Sequence, residues 1–238
     1  MDNKKNTILL TVIAVATLLV AVVGATFAYF TAQGGDAAGT NVVVKTGTAA
    51  SAAFSVDSSI DIYADATTFA SGKVSPTGEA TGKVNWKAPG AVAGAKPPSE
   101  ADRSFCYTVE VTINSNNFVY SQEDSKAELL LNVTKNDTEI KSGITGLTYA
   151  TVNGRATTGE TPALVDLKGW DITTVAQETK ITIPDATTGA KHKLVADAGA
   201  EVSDSWKTTV TLVNLDADQN TNTNKTFNAT MNFTKTTC

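Results

Sequence analysis

Nucleophilic catalysis of the Ser/His/Asp or Cys/His kind needs an imidazole, and structural zinc sites draw on several His or Cys ligands. The 238 residues of this chain hold one histidine, His192, and two cysteines, Cys106 and Cys238. His192 stands between Lys191 and Lys193, the setting of a histidine on the wet face of a surface strand. No H-E-x-x-H, no P-loop and no dinucleotide-binding glycine fingerprint occurs. The sequence therefore presents no catalytic constellation and calls for no cofactor.

Two weaker patterns concern ligands. Asp216, Asp218, Asn220 and Asn222 place oxygens at alternate positions, as the start of a calcium loop does, but Thr221 stands where the turn glycine belongs and Phe227 where the closing glutamate belongs. A plain polar hairpin loop is the simpler expectation. Asn132, Asn136, Asn224, Asn228 and Asn232 each open an N-x-T sequon, a frequency that so Asn- and Thr-rich a chain generates by composition. Trp86, Trp170 and Trp206 are candidates for a carbohydrate platform, although isolated tryptophans in sheets more often belong to the core.

The elements that would position these residues read as strands. Ser104 to Asn114 alternates Phe105, Tyr107, Val109, Val111 and Ile113 with Cys106, Thr108, Glu110 and Thr112, a period of two with one apolar face. Ser205 to Leu215 and Lys225 to Lys235 repeat that pattern and suggest an antiparallel pair across the polar loop 216–224. Further strands are expected at Asn41 to Lys45, Ala53 to Val56, Ile60 to Tyr63, Glu128 to Lys135, Gly146 to Val152, Glu178 to Ile183 and Lys191 to Ala196. Ser121 to Leu131 carries enough charge to hold a short helical turn before its strand. The Gly/Pro/Ala-rich stretch Ala70 to Asp102 reads as a long surface loop with at most one short strand near Lys83 to Trp86. The expected fold class is all-β, an antiparallel β-sandwich of jelly-roll or immunoglobulin-like type with long loops, over residues 41–238.

One hydrophobic signal or anchor helix is expected ahead of it. After Lys4 and Lys5, no charge interrupts Ile8 to Phe30, and about 20 such residues cross roughly 30 Å of hydrocarbon. The run ends on Gly24-Ala25-Thr26-Phe27-Ala28, with small side chains at Thr26 and Ala28 where a signal peptidase selects for them. Cleavage would fall between Ala28 and Tyr29, making 1–28 a signal peptide and 29–40 a flexible lead-in; the alternative is an uncleaved anchor. In both cases the lysines stay inside and the rest is exported, so the expected location is secreted or cell-surface, with membrane contact only through this segment. Removing residues 1–28, which carry Asp2, Lys4 and Lys5, takes the net charge from -5 to about -6. An acidic surface is a poor partner for nucleic acid.

Outside the cell a disulfide between Cys106 and Cys238 becomes available. Two free thiols, or an intermolecular bond through Cys238, are equally open.

The segment Val23 to Thr31 (VGATFAYFT), directly after a long apolar run, resembles the signal-peptide end of the TasA and camelysin family of Gram-positive surface proteins, and Asp218 to Thr236 is similar to that family's final polar loop and last strand. The likeness covers roughly the first 45 residues and the last 20. It implies cleavage by a SipW-type signal peptidase after Ala28. It also implies a jelly-roll subunit of biofilm-matrix fibres, in which an N-terminal stretch of one subunit completes the sheet of its neighbour. The chain's partner would then be itself. A Gly-rich tether, Gln33 to Gly39, precedes the candidate donor strand Asn41, Val42, Val43, Val44 and Lys45. Camelysin-type members are described as metalloproteases, and the lone His192 departs from what that activity needs. A surface adhesin acting through the Ala70 to Asp102 stretch is a further alternative.

Overall fold

The computed structural model describes residues 44–45, 50–91, 96–185 and 187–238. The expected signal segment with its Ala28/Tyr29 boundary, the lead-in and Asn41 to Val43 lie outside the described residues. In chain order the strands are β1 (Val44–Lys45), β2 (Ser51–Val56), β3 (Ile60–Tyr63), β4 (Thr77–Lys87), β5 (Ser104–Asn116), β6 (Leu129–Lys135) and β7 (Thr138–Glu139). They continue as β8 (Tyr149–Arg155), β9 (Leu164–Asp171), β10 (Lys180–Ile183), β11 (His192–Val195), β12 (Glu201–Leu212) and β13 (Thr226–Thr236). One 3-10 turn, Asn220–Asn222, precedes β13. Among the described residues there is no α-helix.

All strand pairs are antiparallel and fall into two sheets. The larger runs β1-β2-β4-β12-β6-β9-β8, with β7 added to β6; in the smaller, β10 and β11 lie end to end along β5, followed by β13 and β3. The period-two patterns of β5 and β13 point Phe105, Tyr107, Val109, Phe227, Met231 and Phe233 to the inner side, where they share one core with Phe54, Val84, Leu131 and Trp206. Trp86, Trp170 and Trp206 are all buried there. Each indole N–H finds an acceptor, respectively the carbonyls of Arg103 and Ile140 and the hydroxyl of Tyr107, so none forms an exposed sugar-binding platform.

Three expectations are corrected. The stretch Ala70 to Asp102 contains β4, an 11-residue strand in the interior of the larger sheet, paired with β2 on one side and β12 on the other. Its inward positions are Gly78, Ala80, Gly82, Val84 and Trp86, and at Gly78 and Gly82 there is no room for a side chain. A Cβ on Gly82 would lie 2.6 Å from a ring carbon of Phe233 and 2.7 Å from the methyl of Met231. Glycines that look like loop punctuation here make room for the opposite sheet.

The last two strong strands, β12 and β13, are not partners. β12 lies between β4 and β6, whereas β13 lies between β5 and β3 in the other sheet. The loop between them passes from one sheet to the other rather than forming a hairpin. The charged stretch after Ser121 makes a turn, Ser125 N–H to Gln122 O at 3.0 Å, with no helix. β9, which carries Trp170, falls where no strand is expected from sequence, because its outer half, Leu164 to Asp166, is exposed on both faces and shows no alternation.

Candidate functional site

β11 pairs with β5 in the register His192 opposite Tyr107, which turns the imidazole inward. His192 is 0% exposed, against the surface position expected for it; in a strand its neighbour Lys193 points to the other face. The ring stacks on Tyr107 at 5.4 Å and meets Trp206 edge-on at 4.7 Å. Nε2 lies 2.9 Å from the carbonyl of Ile183, so this nitrogen carries the proton and donates it. Nδ1 faces Asp185 Oδ2 at 3.4 Å, a long approach rather than a well-formed hydrogen bond. Burial lowers the imidazole pKa, and the Lys135 ammonium opposes its protonation further.

Around this ring is a polar cluster that the sequence does not announce. Lys135 Nζ lies 3.1 Å from Asp204 Oδ2 and 3.5 Å from Asp185 Oδ2. The Tyr107 hydroxyl donates to Asp204 Oδ2 and accepts the Trp206 indole N–H, while Asn136 Nδ2 donates to Asp204 Oδ1 at 2.8 Å. Burial and the Asp204 carboxylate raise the Tyr107 pKa far above the usual phenol value. Burial opposes ionisation of Asp185, but the N–H and hydroxyl of Thr187, the N–H of Thr188 and Lys135 outweigh it and hold that carboxyl well below the usual range. The cluster borders a cavity of about 630 Å³ lined by Lys135, Ile140, Pro184, Asp185 and His192 among others. Its members come from β5, β6, β11, β12 and the turn after β10, too far apart in sequence for any spacing rule to group them.

The calcium candidates do not converge. Asp216 pairs with Arg155 at 2.8 Å, Asp218 Oδ1 accepts the N–H of Asn220, and Asn222 is buried with its Nδ2 donating to Glu128 Oε2 and to Val119 O. Gln219 Nε2 and the N–H of Ser121 complete the coordination of the buried Glu128 carboxylate. The loop is thus anchored by a protein carboxylate from inside, and among the described residues no three His, Cys, Asp or Glu side chains group as ion ligands. Cys106 and Cys238 are bonded to each other, with Cα atoms 5.2 Å apart; the bridge ties the chain just beyond β13 to the first residues of β5, where Thr236 already pairs with Cys106.

A different kind of site lies at the edge of the smaller sheet. β13 pairs with β5 from Phe227 to Thr236, but with β3 only from Thr226 to Ala229. Among the described residues the other side of Thr230 to Thr236 has no strand partner, leaving backbone donors and acceptors open on a strand whose alternate side chains are buried. A cleft of about 370 Å³ opens there between Val56 to Ser59, which cross from one sheet to the other, and Thr230 to Asn232. Of the candidate donor segment, Val44 and Lys45 pair with Ala52 and Ser51 at the neighbouring edge of the larger sheet.

No family model, curated protein or solved structure matches the chain. Among the described residues, the β13 edge and the Lys135 cluster are the candidate sites that its own geometry offers.

Proposed function

We propose that this chain is an exported structural subunit that assembles into extracellular fibres, each subunit giving an N-terminal strand to the open edge of β13 in the next. The observation that carries the reading is the half-covered edge: β3 spans four residues of an 11-residue strand, and a strand laid beside Thr230 to Thr236 would satisfy the backbone groups there by β-augmentation. Alternate side chains of that strand would enter between the two sheets, beside Val56 and Met231. The β-branched run Val42-Val43-Val44 behind a Gly-rich tether has the composition for such a strand. With the resemblance of the Ala28/Tyr29 region to TasA-type precursors, this favours a jelly-roll subunit released by signal cleavage, secreted or held at the surface, with copies of itself as the partner. No observation favours the protease or adhesin alternatives: His192 is buried, and the stretch assigned to a binding loop contains an interior strand.

The test is electron microscopy of protein beginning at Tyr29 beside protein lacking residues 29–45, with a synthetic 29–45 peptide as competitor. The longer form is expected to give filaments that shorten as peptide is added, and the truncated form to stay monomeric. Filaments of equal length from both forms, or monomers from both under every condition tried, would reject the reading.

A further inference from the structure

We infer that Lys135 and Asp204 are a self-modification site: they condense within the folded chain into an amide joining Nζ of Lys135 to Cγ of Asp204, releasing one water molecule and stapling β6 to β12.

The strand register sets up the pair. Lys135 lies opposite Trp206 in the β6–β12 ladder, so Asp204, two residues along β12 on the same face, is its diagonal neighbour, a distance that long side chains bridge. Asp204 is 4% exposed, and Lys135 Nζ lies 3.1 Å from its Oδ2 under the Trp206 indole, whose ring centre is 5.7 Å from the nitrogen. In water, ammonium and carboxylate stay charged and do not condense. The condensation begins with one proton moving from Nζ to Asp204 across the 3.1 Å contact, which leaves a neutral amine against a neutral acid, the reacting pair, without separating charge.

The rest of the cluster supplies what the step needs. The Nζ lone pair attacks Cγ and a C–N bond forms as the C=O electrons move onto oxygen. The Tyr107 hydroxyl on Oδ2 and the Asn136 amide on Oδ1 are placed to stabilise that charge. Asp185 uses its Oδ1 to accept the N–H groups of Thr187 and Thr188, which leaves Oδ2 facing Nζ at 3.5 Å. It takes the proton that the nitrogen must lose and passes it to the departing hydroxyl, whose C–O bond then breaks. The water formed leaves into the cavity beside Lys135 and Asp185. No oxidant, metal or external nucleophile is consumed, and the fixed positions of the two groups remove the entropic barrier to an intermolecular condensation. The product also replaces the buried Asp204 charge and the half-buried Lys135 charge by one neutral amide, which lessens the desolvation cost of the ion pair.

The experiment is the intact mass of the purified full chain, denatured and with its disulfide reduced, followed by peptide mapping. The expected result is a mass one water below that of the sequence from its measured N-terminus, with a branched peptide joining the Lys135 and Asp204 segments and no linear peptide cut after Lys135. Lys135→Arg keeps the cation but not the amine and should restore the full mass. Asp185→Asn keeps the shape but not the base and should leave a mixture whose branched fraction grows over time. A wild-type mass equal to the sequence, or a water lost at any other site, would overturn the inference and leave Lys135 as an ordinary ion pair.

Discussion

Phe54 of β2 stacks on Phe233 of β13 with ring centres 5.9 Å apart and planes 19° from parallel. The pair joins the two sheets beside the stretch of β13 that, among the described residues, lies beyond the end of β3. Truncation to Phe54→Ala should lower stability by about 3 kcal/mol, near the low end for buried phenylalanine because β2 lies towards the end of its sheet. Urea unfolding followed by fluorescence measures this, and an unchanged midpoint would show that the contact does not join the sheets.

The disulfide closes a span of 132 residues, and loop entropy alone assigns it about 5 kcal/mol. Cys106→Ser with Cys238→Ser should therefore bring the unfolding midpoint down by a large fraction of the total stability, and a reductant should do the same to the parent protein while leaving the double variant unaffected. Coincident unfolding curves with and without reductant would contradict this.

Glycines 82 and 90 should respond differently to the same change. Gly82→Ala pushes a methyl against Phe233 and Met231 inside the core and should destabilise by about 1–3 kcal/mol. Gly90→Ala meets nothing within 4 Å among the described residues and should stay within about 0.5 kcal/mol of the parent. Thermal melting of the two variants side by side reads the contrast.

His192 gives stability a pH dependence of known sign. Its folded pKa lies below the ordinary 6.5 because burial and Lys135 disfavour the imidazolium, so between the folded and unfolded values the unfolded chain binds the extra proton. The contribution is complete above pH 6.5 and shrinks as pH falls below it. The ring is faced by Lys135 from β6, Asp185 from the turn after β10, and Tyr107 and Trp206 from β5 and β12. Asp185, depressed from 3.8, adds a second loss only below that value. Denaturation midpoints at a series of pH values should fall through the first window for the parent protein and lose that slope in His192→Gln; a midpoint that rises on acidification would refute the assignment.

Much of this molecule is legible along the chain. The alternation in β5, β12 and β13 gives their faces and their approximate ends, because period two is a local property of a pleated strand with one buried side. β4 is not legible, since its inward Gly78 and Gly82 are small in order to accommodate Ile60, Met231 and Phe233 of the other sheet, and that requirement exists only once the sheets face each other. His192 misleads for a related reason: Lys191 and Lys193 describe the outer face of β11, whereas the ring's environment is set by Tyr107 and Trp206 from distant strands.

Composition and periodicity by themselves determined an all-β chain, its strongest strands, and an N-terminal apolar segment with a small-residue exit. Tertiary structure alone decided that β12 and β13 lie in different sheets, that Cys106 meets Cys238, that Lys135 lies between two carboxylates, and that half of β13 has no second partner among the described residues. Side-chain period and charge are written residue by residue. Which strand neighbours which, and therefore which edge stays open and which charges are buried together, depends on contacts between segments that the chain brings together only when the two sheets close over one core.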